Sequence, residues 1–292
     1  MAKVRAGKGR WPLVAGRLVV ASLALIRIAT GEEAIPMRSN FMRLLAASAL
    51  ALVAASSAAC SSSTPSASST PSASPFAGKT PAQVLAMATA AALAKGSVHW
   101  VADENVGGVT THWVTDAGTT QGKQIGTGSI TGNCTILVTS AQVAYFRGDT
   151  ACLEEGFQFP GPEATKYAGQ WIAVPSSSSG YGDLVTGLTA SSNMTGATPS
   201  APLRFTKPTT IDGRSVIGIS GGLGPFATGY VGTQVLYIST AAPYLPVAVV
   251  LHGTQSNGPP MTSSAHMSDY GEPVVVTEPA HSIPISSIPG TS

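Results

Sequence analysis

The chain has little charge: Asp, Glu, Lys and Arg together make up 10% of its 292 residues, and the net charge is +2. Beyond residue 43 the basic residues stand singly, so nothing can track a phosphate backbone, and nucleic acid is excluded as an expected partner. Aromatic residues are only 6%, and with 32 glycines and abundant Ser and Thr the composition speaks for strands and turns rather than charged helices. Cysteine is scarce as well. Three residues are too few for a disulfide framework, and the odd count requires an explanation. Long hydrophobic runs are missing: Leu44 to Ala55 is about a dozen residues, short of the roughly 20 that cross a bilayer as a helix.

What is present begins with an export signal. Met37 to Arg43 is a short basic stretch, Leu44 to Ala55 is small and apolar, and Ser56 to Ala59 are small residues ahead of Cys60. These are the n, h and c regions of a signal peptide over residues 37–59. Residues 1–36 fit this poorly, because Leu18 to Ile28 would place a second apolar run ahead of the signal. Gly31-Glu32-Glu33 would be encoded by a purine-rich run resembling a ribosome-binding site, so Met37 is the expected start and 1–36 is read as untranslated, or else as an extended n-region.

Ala58-Ala59-Cys60 resembles the lipobox of bacterial lipoproteins, in which the cysteine receives diacylglycerol; Ser57 departs from the usual Leu or Val. Lipidation of Cys60 is the expectation, with the membrane as a partner through a lipid anchor and the outer face of the cell membrane as the location. Ser57-Ala58-Ala59 also satisfy ordinary signal peptidase, which would release a secreted protein. Residues 60–79 read as a tether, since STPSAS occurs twice, at 63–68 and 69–74, and such a segment cannot form a core. Its reach is roughly 25 Å as a coil and up to about 60 Å fully extended. With Cys60 lipidated, Cys134 and Cys152 remain as an expected disulfide, contributing about 3 kcal/mol. Neither has a His or Cys neighbour at metal-ligand spacing, and no metal or cofactor is expected. A hairpin turning near Ser140 and Ala141 would set Cys134 opposite Gly148, so Cys152 must lie where the chain folds back.

The remaining 80–292 are expected to form one domain of about 210 residues. Thr80 and Gln83 form a capping box, Pro81 takes the first helical position and Gly96 ends the helix. Val84, Leu85, Ala88, Ala91 and Ala92 recur at helical spacing. The period then changes to two. Strands are expected at Ser97–Ala102, Val109–Thr115, Ser129–Val138, Val143–Arg147, Trp171–Val174, Ile211–Ser220, Gln234–Ser239 and Val247–Leu251, with a last extended piece at Pro273–Val276. Short helices are expected at Glu163–Ala168 and Asp183–Thr189. Pro246 to Leu251 is apolar on both faces, which predicts an α+β fold: a strongly curved antiparallel sheet of about ten strands, an open half-barrel with the first helix on its concave face.

That order of parts resembles the LolA/LppX-like lipoproteins of the LppX/LprG type. The stretches that carry the resemblance are the opening helix with Ser97-Val98-His99, VAYFRG at 143–148 with KYAGQWIAV at 166–174, VLYISTAAPYLPVAVV at 235–250, and SDYGEPV at 268–274. It implies a cavity between helix and sheet for an acylated lipid or glycolipid, no covalent chemistry, and a place in the cell envelope beside envelope proteins. Exposing a sixteen-carbon chain to water costs on the order of 13 kcal/mol, so a carrier must enclose nearly all of it. Val84, Leu85, Leu93, Trp100, Trp113, Tyr145, Trp171, Tyr237 and Val249 are the candidate lining; the alternative is an ordinary filled core, with binding through the exposed loops of a surface-displayed interaction module.

No catalytic residue is assigned. Gly218-Ile219-Ser220-Gly221-Gly222 matches the nucleophile-elbow pattern, but Gly224 and Pro225 follow where a helix must begin. His99 and His112 are read as interstrand or exposed rather than as paired metal ligands, the Gly107-Gly108 turn being expected to set Val101 nearer to His112 than His99. Asp103-Glu104 and Glu154-Glu155 are not expected to work as acid and base, since adjacent strand residues point to opposite faces, and are read as solvated turn charges.

Overall fold

In the computed structural model of the protein, residues 75–225, 227, 229–256 and 258–289 are described. The signal, Cys60 and the Ser/Thr/Pro repeat lie outside them. Helix α1 (Pro81–Lys95) is built as its sequence dictates. The Thr80 N–H donates to Gln83 Oε1 at 2.8 Å, and the Gln83 N–H to Thr80 Oγ1 at 3.2 Å. Gly96, at φ 78°, closes the helix in the left-handed region where a side chain would be strained.

Among the described residues, thirteen strands then form one open sheet. The first half is a meander of β1 (Val98–Val106), β2 (Val109–Ala117), β3 (Gly122–Gly128), β4 (Gly132–Val138), β5 (Val143–Gly148) and β6 (Ile172–Pro175). Between β5 and β6 lie a wide helical turn (Cys152–Gly156) and α2 (Gly161–Tyr167). After β6, α3 (Tyr181–Val185) and α4 (Ala190–Ala197) precede β7 (Ser200–Phe205), β8 (Thr209–Ile211), β9 (Arg214–Gly222), β10 (Val231–Ser239), β11 (Pro246–Thr254) and β12 (Met261–Ser268). Pairing of β12 with β1 joins the halves, and β13 (Ile283–Pro284) adds in parallel to β6. The path β13-β6-β5-β4-β3-β2-β1-β12-β11-β10-β9-β7 leaves both ends free, with β8 beside β9. The α+β, open-sheet expectation holds, but the count exceeds the ten foreseen. Strands β3 and β7 escaped notice because Gly and Pro break their alternation, and β12 because His, Ser and Thr dilute its apolar positions. Pro273–Val276 pairs in no ladder.

Alternation divides the sheet into two faces. On the inner face, Val84, Leu85, Ala88 and Ala92 of α1 pack with Val98, Ala102, Trp113, Leu236, Ile238, Val249, Ala265 and Met267. A second cluster joins Ile136, Val138, Phe146, Ile172 and Val174 to Leu153, Tyr167, Leu184 and Leu188. Between them runs β3, whose inward positions are Gly122, Gln124, Gly126 and Gly128; a Cβ at Gly122 would collide with the Leu188 carbonyl. Bare backbone there lets neighbours approach closely.

Candidate functional site

The expected lining residues separate by strand parity. Val84, Leu85, Trp113 and Val249 are buried in the cluster beneath α1, and Trp100 packs against it. Tyr145 and Trp171 belong to the other face: Tyr145 pairs with Ala173, out of phase with inward Phe146 and Ile172, and Trp171 follows the same phase. Tyr237 is likewise out of phase with inward Leu236 and Ile238. Leu93 is 41% exposed on the solvent side of α1. The sheet therefore does not bring these side chains into one cavity. The aromatic residues carried by the resemblance lie on both faces.

The outer face holds a groove. After β12 the chain turns through Asp269 and Gly271, both at positive φ, and runs back across the sheet toward β6. Ser97 Oγ donates to the Glu272 carbonyl at 2.6 Å. Gln121 donates to the Val274 carbonyl at 2.6 Å and accepts from the Val276 N–H at 3.3 Å. The Ile283 N–H then donates to the Trp171 carbonyl at 2.8 Å. This strap leaves a groove of about 360 Å³ whose floor is Ile125, Thr135 and Leu137 and whose rim includes Val275, Val276 and Thr277. Lys123, Arg147 and Trp171 complete it. The Arg147 guanidinium stacks 4.7 Å from the centre of the Trp171 ring, a cation–π contact that holds its charge at the wall. No carboxylate is among the described residues that line it. Beside it, Tyr145 is buried and pushed up to about 12 by burial and by its hydrogen bond to Glu278.

Three chains from solved structures share part of this architecture. LprF from Mycobacterium bovis is 17% identical with a TM-score of 0.43, over 69% of this chain and 97% of that one. An uncharacterised conserved protein from Thermus thermophilus is 8% identical with a TM-score of 0.39, over 70% of this chain and 98% of that one. A chain of the Pseudomonas aeruginosa MucA/MucB complex is 9% identical with a TM-score of 0.32, over 65% of this chain and 57% of that one. Likeness at this level carries nothing about ligand or partner. No family model matches the chain, and no curated protein matches it.

Other sequence candidates fall into place around the sheet. Cys134 and Cys152 form the expected disulfide, with Cα atoms 5.7 Å apart. Cys134 pairs in register with Gly148, and Cys152 lies on the turn that follows. Ser220 sits within β9 and donates to the Arg204 carbonyl at 3.3 Å, with a strand where an elbow needs a helix. The two-residue turn pairs Val106 with Val109, which sets Asp103 opposite His112 at 2.8 Å and leaves Val101 nearer to His112 than His99 is, as expected. His99 meets Asp116 at 2.6 Å, and His266 meets Asp212 at 2.9 Å, all on the outer face. No group of three or more His, Cys, Asp or Glu able to hold a metal occurs among the described residues.

Glu104 overturns its reading as a solvated charge. It shares the inward phase of Trp100 and Ala102, is only 5% exposed, and burial pushes its carboxyl up to about 7, against an opposing hydrogen bond from Trp113. The signal was in the sequence: the even positions of β1 are those that point inward. Lys123 and Arg147 carry no site signal in the sequence, because the glycines of β3 break its alternation and Arg147 stands at the end of its expected strand.

Proposed function

We propose that the chain is an exported binding protein of the bacterial envelope, held at the outer face of the membrane by a lipid on Cys60, that takes up an acylated, anionic ligand without covalent chemistry. The observation that carries this reading is the strapped outer groove. Its size of about 360 Å³ falls at the low end of ligand sites, its floor is apolar apart from Thr135, and its charged side chains are both cations. An acidic headgroup would meet Lys123 and Arg147, while a short acyl chain, which needs no deep enclosure, would cover Ile125 and Leu137. The signal at 37–59 and the tether supply delivery and reach.

A second reading rests on the packing of the inner face, where α1 buries Val84, Leu85, Ala88 and Ala92 against the sheet. A core filled in this way favours an interaction module that meets another envelope protein through its surface. The two readings separate on one preparation. A carrier purified from membrane without delipidation holds a lipid that leaves on denaturation, and Arg147→Glu abolishes its retention. An interaction module carries none.

A further inference from the structure

We infer that Glu104 anchors a second ligand site, on the inner face of the sheet, for a group bearing a protonated amine. The site stands apart from the outer groove, since strand alternation puts Glu104 on the opposite side from Arg147 and Lys123. One side of its carboxyl accepts from the Trp113 indole N–H, whereas Oε1 has no hydrogen-bond donor among the described residues. A buried acceptor left this way is costly, and a donor that reaches it contributes correspondingly.

The flanking residues do not supply that donor. Thr111 and Ser263 are the cross-strand partners of Glu104 on β2 and β12, and the Thr111 hydroxyl is engaged with Thr131 at 3.4 Å. Each His that forms an ion pair among the described residues does so with an Asp on the outer face, and none of these pairs includes Glu104. What stands near the acid instead is aromatic. Trp113 bonds to it, and Tyr230 feels its charge while its ring lies against the bare Cα of Gly253 on β11. A carboxylate beside the Trp113 ring is suited to an ammonium group, which gains an ion pair and cation–π attraction at once.

The test uses the full protein carrying Arg147→Ala, which takes the stacked cation from the outer groove so that octanoate is not held there, and three probes of equal chain length: octylamine, 1-octanol and octanoate, titrated calorimetrically at neutral pH. Octylamine is expected to bind saturably and about ten-fold or more tightly than the other two, the discrimination of one charge-assisted hydrogen bond. Glu104→Gln keeps the circular-dichroism spectrum and loses that preference; Glu104→Leu, which removes the buried polar group altogether, serves as the second variant. Arg147→Ala leaves octylamine binding unchanged, which separates this site from the groove. Equal binding of the three probes, absence of saturable octylamine binding, or a preference that survives in both Glu104 variants would overturn the assignment.

Discussion

The indole of Trp113 rests on the bare backbone of Gly126, its direct partner across β2 and β3. A Cβ at Gly126 would lie 2.6 Å from Trp113 Cε3 and 2.8 Å from Cη2. Gly126→Ala must therefore displace the ring from the cluster beneath α1 or bend β3. The expected cost is about 1–3 kcal/mol in urea denaturation, with a perturbed near-ultraviolet tryptophan signal. A loss within experimental error would mean that the ring has room the packing does not show.

The disulfide gives a second prediction. Replacing both Cys134 and Cys152 by Ser is expected to lower stability by about 3 kcal/mol, the chain-entropy value for a loop of this length. Gly148 should behave as part of the same unit, because a Cβ there would run into Cys152 Sγ. Asp149 supports the turn: burial pushes its carboxyl up, but N–H donors of Cys152 and Asn133 outweigh this and hold it below its usual range. Gly148→Ala is expected to leave free thiol detectable by maleimide labelling after oxidative refolding, where the parent protein shows none at these positions.

Glu104 makes stability depend on pH. Its carboxyl is raised from 4.5 to about 7 in the fold, so the native state holds this proton more tightly than the unfolded chain does. Its contribution is complete below about 4.5, declines as pH rises through this window, and becomes a constant cost of about 3 kcal/mol above 7. Chemical denaturation at pH 5 and pH 8 should show the parent losing stability across the interval and Glu104→Gln losing little of it. Parallel losses in both proteins would assign the effect elsewhere.

The strap is expected to depend on Gln121, whose amide both donates to Val274 and accepts from Val276. Gln121→Ala should cost about 1–2 kcal/mol and speed hydrogen exchange at the Val276 N–H. Unchanged exchange there would show that the strap is held by Ser97 and Trp171 alone.

Much of this architecture could be read from the chain because its signals are local. The cap at Thr80, the turn at Gly107-Gly108 and the alternation of β5 each act over a few residues, and each produced the element expected. The disulfide followed from counting cysteines. The faces were harder to read. The resemblance groups Tyr145, Trp171 and Tyr237 with Trp113, whereas their phase within each strand puts them on the outer side. The groove depends on residues far apart in sequence, Lys123 and Arg147 with Val275, and on a strap whose path is set by hydrogen bonds no periodicity announces. Glu104 is legible in the phase of β1, but an acid beside a turn invites a solvent reading, and its burial at 5% exposure shows otherwise.

The central claim, a lipid-anchored envelope protein that carries an acylated ligand, is tested most directly by intact mass spectrometry of the protein purified from its native membrane without delipidation. The account predicts a chain that begins at Cys60 with attached diacylglycerol and, under native conditions, a bound lipid lost on denaturation. An unmodified Cys60 would contradict the anchor, and an acylated protein free of lipid would contradict the carrier.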